Sequence, residues 1–428
     1  MPSNLKKYAG SAFFLLFNLA LFIALSRAEI TLSPDSQGYI YGSFLRAPGY
    51  PLLLSFFKLF APDNFLRLAV IFQAGFVISS VLWAACVIKK HFSLSKPFFL
   101  LVYLVLLWPL LPFKGGSLAN QIMTEAVTYG LFLIASGFFI KGLFEKSTKA
   151  LLFFIILSSF TVLLKPQFMF MPLCAAVVTG ALFLADHDKR KALTLFAALF
   201  LSLFAVKIAD KSWHYFRHGS FSSGPGFGLH MAMNAFFLSD DDTAAQYSSP
   251  DNALFSDIYG SVKASAVRSG DITAKGVSAY AVFYTDACDV IMWKILMPSL
   301  DKYCTAETAT ACLMKKEALS ARIGKTFIKN NPKKFCKLLA YKLLAKTPLY
   351  FWFFMAAVFI VSGTLFIRTA DPAAGAVFLA VLMNFANYAI VGVLAPLNNR
   401  FTFPTEMLQT ALLLGALALA ARKTACRN

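Results

Sequence analysis

Ten long apolar stretches constrain the fold of this 428-residue chain more than any other feature. Each has about the length needed to cross a bilayer as an α-helix, roughly 17–25 mostly apolar residues. Hydrophobic residues make up 58% of the chain and charged residues 14%, whereas soluble domains are about 45–50% apolar and 25% charged. This composition excludes a water-soluble enzyme, a disordered chain and a disulfide-stapled secreted module. We predict an all-α polytopic membrane protein with about ten spans, near residues 8–26, 65–88, 97–113, 122–144, 149–164, 167–185, 192–209, 347–367, 373–395 and 404–421.

The distribution of lysine and arginine predicts the orientation, because cytoplasmic loops are enriched in these residues. With the N-terminus in the cytoplasm, the inner loops and tail carry 15 Lys and Arg residues, and the short outer segments carry 7. The remaining 18 lie in one long segment, which can cross regardless of charge. The net charge of +19 is therefore explained by topology, and no nucleic-acid partner is predicted. We expect an N-terminal transmembrane module (1–209), an outer segment (210–346) and a C-terminal transmembrane module (347–428), with both termini inside.

The first outer loop, residues 27–64, combines a polar turn with a short apolar stretch. Pro48, Gly49 and Pro51 predict an ordered turn. The following stretch, Leu52–Phe60, is too short to span and predicts a helix at the membrane interface. Asp35 lies in the polar part, either as a solvated loop or helix-cap residue or as a functional carboxylate.

Five charged residues from separate outer segments map to the same predicted membrane face: Asp35, Arg46, Glu125, Lys165 and Arg400. Glu125 alone would be a first-turn carboxylate that complements a helix dipole, and Lys165 and Arg400 alone would be interfacial anchors. The span centres hold almost no ionisable residues, which are the mark of ion pathways. The pattern favours chemistry or binding at the outer interface over a proton-coupled transporter.

The long outer segment carries two weak metal-site candidates. His214, His218 and His230 have no second-shell pattern around them and give only a weak metal signal. The run Asp240–Asp242 either supplies oxygen ligands to a divalent cation or forms an acidic turn that caps a helix. The end of the segment, 315–346, predicts a basic amphipathic interfacial helix, which either anchors to anionic headgroups or guides a lipid phosphate.

Four of the seven cysteines lie in the same outer segment, where an oxidising compartment permits two disulfides. Proximity in sequence predicts Cys304 with Cys312 as the first pair. The other two are Cys288 and Cys336. The cysteines in spans or the inner tail, which we expect to be free thiols, are Cys86, Cys174 and Cys426.

The order of several short motifs resembles a known family. These motifs are Pro34-Asp35-Ser36-x-x-Tyr39, Arg46-x-Pro48-Gly49-Tyr50-Pro51, Gln73, Thr124-Glu125, Lys165-Pro166, Ile328-Lys329-Asn330-Asn331-Pro332 and Asn399-Arg400-Phe401 with Pro404. In this order they resemble bacterial polytopic glycosyltransferases of the GT-C fold, related to the protein mannosyltransferases and the lipid A aminoarabinose transferase. The resemblance covers most of residues 1–185 and 320–421.

The resemblance implies a GT-C-like fold and an enzyme at the outer face of the bacterial inner membrane. Such an enzyme moves a sugar from a polyprenyl-phosphate donor to a lipid or glycan acceptor. The catalytic role of the family's first-loop aspartate carries over to Asp35. In the mannosyltransferases a Glu follows directly; Ser36 stands there in this chain, so Glu125 is the expected second carboxylate.

The same resemblance assigns the binding residues. The family holds its donor phosphate with basic residues, for which Arg46, Lys165 and Arg400 are the candidates, and Tyr39 and Tyr50 are expected to contact substrate. Some members bind a divalent cation; no metal ligand or other cofactor is assigned from this sequence. Two other classes stay open: an O-antigen polymerase or ligase, with its key Arg or His in a large outer loop, and a lipid-linked sugar transporter, with polar residues lining its spans.

Overall fold

The computed structural model describes residues 3–111, 117–185, 188–224, 226–273, 275–304, 307–395, 397 and 399–425. Across these ranges the chain is helical, and the β-structure is a single parallel bridge between Thr31 and Gln121. The α-helices are α1 (Ser3–Arg27), α2 (Ser36–Ile40), α3 (Gly49–Phe60), α4 (Phe65–Phe92), α5 (Lys96–Leu107), α6 (Glu125–Phe144), α7 (Thr148–Leu164), α8 (Phe170–Ala185), α9 (Lys189–His218), α10 (Phe227–Leu238), α11 (Asp251–Ala264), α12 (Val277–Asp289), α13 (Met297–Asp301), α14 (Ala309–Asn330), α15 (Pro332–Lys346), α16 (Leu349–Thr369), α17 (Pro372–Leu394) and α18 (Asn399–Ala425). Short 3₁₀ turns lie at Trp108–Leu110, Leu118–Asn120, Pro166–Met169, Thr243–Gln246 and Ser269–Asp271, and a π-helical stretch, Val290–Leu296, joins α12 to α13.

Six helices in the described ranges are long and apolar enough to cross a membrane: Phe65–Phe92, Glu125–Phe144, Lys189–His218, Leu349–Thr369, Pro372–Leu394 and Arg400–Arg422. The other four predicted spans coincide with apolar helical stretches of 10–17 residues: Ala12–Arg27, Lys96–Leu110, Thr148–Leu164 and Pro166–Ala181. On α9 and α16 large apolar side chains point outward; Phe200 and Phe353 are 71% and 69% exposed. Such exposed apolar surface fits a membrane-embedded helical protein. The total of ten spans stays a prediction.

Contacts divide the chain into two compact units. The first comprises Met1–Asp210, Val358–Asn384 and Phe403–Asn428, and the second comprises Lys211–Ala357 and Phe385–Thr402.

In the first unit, glycines let α6 lie close against α4. A Cβ at Gly130 would come within 2.5 Å of the Phe76 ring, and one at Gly137 within 2.2 Å of the Trp83 ring. The two glycines are seven residues apart, which is two helical turns, so both lie on the same face of α6. Small residues on one face are the usual way for apolar helices to approach closely.

The second unit is built on a similar close approach of α10 to α14. A Cβ at Gly228 would lie 2.5 Å from the Glu317 carbonyl oxygen. The Glu317 carboxylate accepts hydrogen bonds from the backbone N–H groups of Gly226, Gly228 and Leu229 at 2.6–3.1 Å. It thereby satisfies donors that the first turn of α10 leaves unpaired.

The cysteines of the second unit confirm one prediction. Cys304 and Cys312 form the predicted disulfide, which closes the segment before α14. Cys288 and Cys336 are free, so a second bridge does not form between them; Cys86 and Cys174 are free as predicted. Cys426 lies outside the described residues.

We predict that Gly137→Ala destabilises the protein by about 1–3 kcal/mol, because the rigid Trp83 ring occupies the added methyl's position. This loss should appear although alanine is the better helix former by roughly 0.5–1 kcal/mol. Thermal unfolding of the purified protein in detergent measures the effect. The matched control is Gly260→Ala on α11, where nothing lies within 4 Å of the added Cβ. Equal melting temperatures for Gly137→Ala and the parent would contradict the described packing.

Candidate functional site

The first-loop aspartate forms an ion pair rather than a helix cap. Asp35 occupies the N-cap position of α2, but its side chain makes no capping hydrogen bond. Instead Arg46 Nη2 donates to Asp35 Oδ1 at 2.6 Å. Both side chains are partly accessible, with 32% of Asp35 and 25% of Arg46 exposed. The helix-cap interpretation of Asp35 is therefore wrong, and its carboxylate stands at the surface beside a guanidinium.

Local backbone and aromatic contacts fix the position of Arg46. Its guanidinium lies 4.9 Å from the centre of the Tyr39 ring. A Cβ at Gly38 would lie 2.9 Å from Arg46 Nε. The Arg46 side chain therefore crosses α2 at a glycine, which has no side-chain carbon in its way. The turn before α2 closes through Ser36, whose hydroxyl accepts the Ser33 N–H at 2.9 Å. Pair and aromatic ring form one rigid arrangement.

A buried hydrogen-bond network fastens this loop to the helices. Tyr50 is fully buried and packs edge-on against Tyr39, with ring centres 5.4 Å apart. Its hydroxyl donates to Gln73 Oε1 at 2.5 Å. Gln73 Nε2 in turn donates to the carbonyl oxygens of Ala119 and Gln121, at 2.8 and 3.0 Å. Tyr50 thus contacts protein, and its predicted contact with substrate stays a prediction.

A second ion pair lies deeper. Glu125, the first residue of α6, has only 2% of its side chain exposed, and Lys165, after α7, has 14%. Lys165 Nζ donates to Glu125 Oε1 at 3.1 Å. The position of Glu125 in a first helical turn also fits the helix dipole. The helix dipole alone does not account for the burial of Glu125. A buried carboxylate is stable only when it is paired or hydrogen-bonded, and Lys165 supplies this pairing.

Tyr39 lies close enough to both pairs to experience their charges. Burial raises the pKa of its hydroxyl most, and the negative charge of Glu125 raises that pKa further. Arg46 and a hydrogen bond with the Thr124 side chain lower it. The charges of three predicted site residues, Asp35, Arg46 and Glu125, therefore act on one buried phenol, which stays protonated at neutral pH.

This arrangement separates two chemical roles. The exposed carboxylate of Asp35 can accept a proton from an incoming hydroxyl, whereas Glu125 is enclosed. An arginine has five N–H donors, and the hydrogen bond to Asp35 uses only one nitrogen of Arg46. Arg46 can therefore hold the carboxylate and a phosphate oxygen at once, with charge-assisted hydrogen bonds to each.

Arg400 belongs to the second unit and is described there. It lies in the first turn of α18, with its guanidinium 5.1 Å from the centre of the Phe401 ring. Asn387 Nδ2 donates to the Phe401 carbonyl oxygen at 3.0 Å and supports this turn. Its part in donor binding stays a prediction.

The metal candidates of the long segment do not assemble into a site. No group of three His, Cys, Asp or Glu side chains suitable for a metal occurs among the described residues. Asp240 pairs with Lys334 at 2.5 Å, and Asp241 pairs with Lys263 at 2.7 Å. The acidic turn is thus part of an ion-pair surface, and Asp242 precedes the 3₁₀ turn Thr243–Gln246 without a side-chain capping hydrogen bond.

The structure also contains a buried polar cluster that the sequence interpretation missed. Lys342 was placed on the basic face of an interfacial helix, but it is only 4% exposed. Its Nζ donates to the Gly392 carbonyl oxygen at 2.8 Å and to Asn234 Oδ1 at 3.3 Å, and it lies 4.1 Å from the centre of the Tyr284 ring. The sequence does contain a signal for this burial, because Lys342 follows the apolar Leu338 by four residues and so shares its face of the helix.

The cluster closes the C-terminal end of α17. Lys342 bonds the Gly392 carbonyl, and Asn234 Nδ2 donates to the Val393 carbonyl at 2.9 Å. Consecutive carbonyls that a helix end leaves unpaired are therefore satisfied by side chains.

Comparison with known proteins finds no match for this chain, whether among protein-family models, curated protein sequences or solved structures.

We predict a large coupling between Glu125 and Lys165. Lys165→Met should cost about 3–5 kcal/mol of stability, because it leaves Glu125 as an uncompensated buried charge. The double variant Glu125→Gln/Lys165→Met should be more stable than the sum of the single effects implies. Thermal unfolding of the four proteins gives the coupling energy. Additive single effects would show that the two side chains do not interact.

We also predict that Lys342 makes stability depend on pH. Burial lowers its pKa to about 7, whereas an unfolded lysine titrates near pH 10.4. Above pH 7 the unfolded state binds more protons than the folded state, so stability rises with pH, by about 1 kcal/mol between pH 7 and pH 8. Unfolding of the parent and Lys342→Leu at both pH values should show this gain in the parent only.

The neighbours of Lys342 do not titrate in the folded protein in that window. Burial and the charge of Lys342 lower the pKa of His230 to about 4, and burial raises the pKa of Cys288 to about 12. An equal pH response in parent and variant would show that Lys342 stays charged.

Proposed function

We propose that the chain is a membrane glycosyltransferase with Asp35 as its general base. It moves a sugar from a polyprenyl-phosphate donor to a cell-envelope acceptor at the outer face of the bacterial inner membrane, with both termini in the cytoplasm. The observation that supports this most is the accessible Asp35–Arg46 pair beside the enclosed Glu125–Lys165 pair. The pairing gives a base and a phosphate ligand on adjacent side chains.

The reaction we propose is a single displacement. The acceptor hydroxyl gives its proton to Asp35 while its oxygen forms the new bond to the anomeric carbon. The bond from that carbon to the phosphate oxygen breaks, and its electron pair leaves with the polyprenyl phosphate. The displacement inverts the anomeric centre, and no oxidant or reductant takes part.

Each charged residue has a role in this step. Asp35 supplies general-base catalysis, which contributes roughly 10²–10⁴-fold. Arg46 orients Asp35 and binds the leaving phosphate, for which its forked donors are suited. Lys165 is the further phosphate ligand we propose in this unit, and Glu125 holds Lys165 in place. Tyr39 lines the site beside Arg46.

Replacement of the proposed base tests this function. Asp35→Asn keeps the shape of the side chain and its hydrogen bond to Arg46 but removes the proton acceptor. Sugar transfer should fall by about 10²-fold or more while the protein level stays normal. Mass spectrometry of envelope glycans and glycolipids, from a deletion strain carrying each variant, measures the transfer.

The control is the same substitution at a second acidic residue of the same loop, Asp63→Asn. Asp63 is exposed and lies two residues before α4, so its variant should restore the parental glycan. Full restoration by Asp35→Asn at parental protein level would refute Asp35 as the base. Identical glycans in the deletion strain and the parent would refute the function itself.

A further inference from the structure

An open cleft of about 480 Å³ lies between α1 and α4, outside the site described above. One end of it is basic and the other is apolar. Its lining residues are Phe22, Ile23, Ser26, Arg27, Arg67 and Ile71. No acidic side chain is among these lining residues, so the cleft carries two positive charges. Glu29, the next acidic residue along the chain, does not line it.

The two arginines are held differently. Arg67 Nη1 donates to the carbonyl oxygens of Ser26 and Ala28, at 3.0 and 2.7 Å. These bonds fasten the C-terminal end of α1 to α4 and fix the guanidinium, while Nε and Nη2 make no hydrogen bond to the described residues. Arg27, the last residue of α1, is exposed and makes no hydrogen bond or ion pair within that part of the chain. The cleft therefore presents one fixed and one adaptable cation.

The apolar end is open as well. Phe22 lies against Gly75 of α4, where a Cβ would come within 3.3 Å of its ring. Ile23 and Ile71 are 41% and 36% exposed. In a membrane-embedded protein these side chains face lipid tails, while the arginines one helical turn away face the headgroups.

We propose that this cleft binds an anionic phospholipid of the surrounding bilayer, with its phosphate between Arg27 and Arg67 and one acyl chain along Phe22, Ile23 and Ile71. The apolar wall favours a lipid over a soluble anion. Two cations without a neighbouring carboxylate favour an anionic headgroup over a zwitterionic one. The proposal uses no residue of the Asp35 site, so it stands or falls independently of the proposed function.

Native mass spectrometry of the full-length protein in detergent tests this proposal, with phosphatidylglycerol and phosphatidylcholine as probes. We expect phosphatidylglycerol to bind about fivefold more tightly or better. Arg27→Gln should reduce its affinity by about three- to fivefold, the scale of one exposed charge pair. Ile71→Trp should reduce binding of both lipids by filling the cleft. Arg27 is the residue to change first, because Arg67 also holds α1.

The matched control is Lys58→Gln, which removes one exposed cation from α3, outside the cleft and in the same unit. Its phosphatidylglycerol affinity should equal that of the parent. Equal binding of the two lipids, or equal losses in Lys58→Gln and Arg27→Gln, would overturn the proposal. Displacement of the lipid by millimolar inorganic phosphate would also overturn it, because the site would then recognise phosphate alone. Tighter binding of undecaprenyl phosphate than of phosphatidylglycerol would instead assign the cleft to the donor and overturn the phospholipid assignment.

Discussion

Gln73 is the side chain on which the arrangement of the candidate site depends. The described segment just before α6, residues 117–124, is not α-helical, and such backbone is stable among apolar helices only when its polar groups are satisfied by protein. Gln73 bonds two of these carbonyls and, through Tyr50, the start of α3. Thr31 adds a bridge to the same segment, and Asn120 Nδ2 donates to the Glu29 carbonyl oxygen at 2.7 Å. The first loop and the start of α6, which carry Asp35 and Glu125, are thus tied to a common support.

The electrostatics of the site follow from its pairing. Two carboxylates and two cations cancel, so the site would attract a phosphate by directed hydrogen bonds more than by net charge. The exposed pair contributes little to stability, since pairs accessible to water are worth roughly 0–1 kcal/mol. The buried pair is costly to break. Loss of Asp35 should therefore impair the proposed chemistry with little change in stability, whereas loss of Lys165 should lower stability as well.

The sequence predicted which residues meet but not how they pair. Positive-inside topology placed Asp35, Arg46, Glu125 and Lys165 on one face, because each follows or precedes an apolar stretch. Pairing depends on side-chain directions, which the periodicity of a sequence does not encode. In the structure each of the two predicted carboxylates, Asp35 and Glu125, pairs with a residue predicted to bind phosphate.

Other predictions succeeded or failed for physical reasons that particular residues show. Helices occur in all ten apolar stretches, yet only six helices in the described ranges are both long and apolar enough to cross a membrane. Cys304 and Cys312 are bridged because eight residues bring them together. Cys288 is buried in the second unit's core beside Tyr284 and so has no bridge. The burial of Lys342 was not predicted, because lysine is so rarely buried that its charge was given more weight than its helical spacing from apolar residues.

The order of the chain adds a constraint on biosynthesis. Glu125 leaves the ribosome 40 residues before Lys165, an interval of about 2–8 seconds at ordinary translation rates. During that time the carboxylate at the head of α6 has no cation from the far end of α7, and a buried carboxylate is stable only when it is paired or hydrogen-bonded. The favourable course is for α6 and α7 to fold together as a helical hairpin, so that the acid becomes enclosed only when its lysine arrives. Formation of this pair of helices is then a single cooperative event rather than two successive ones.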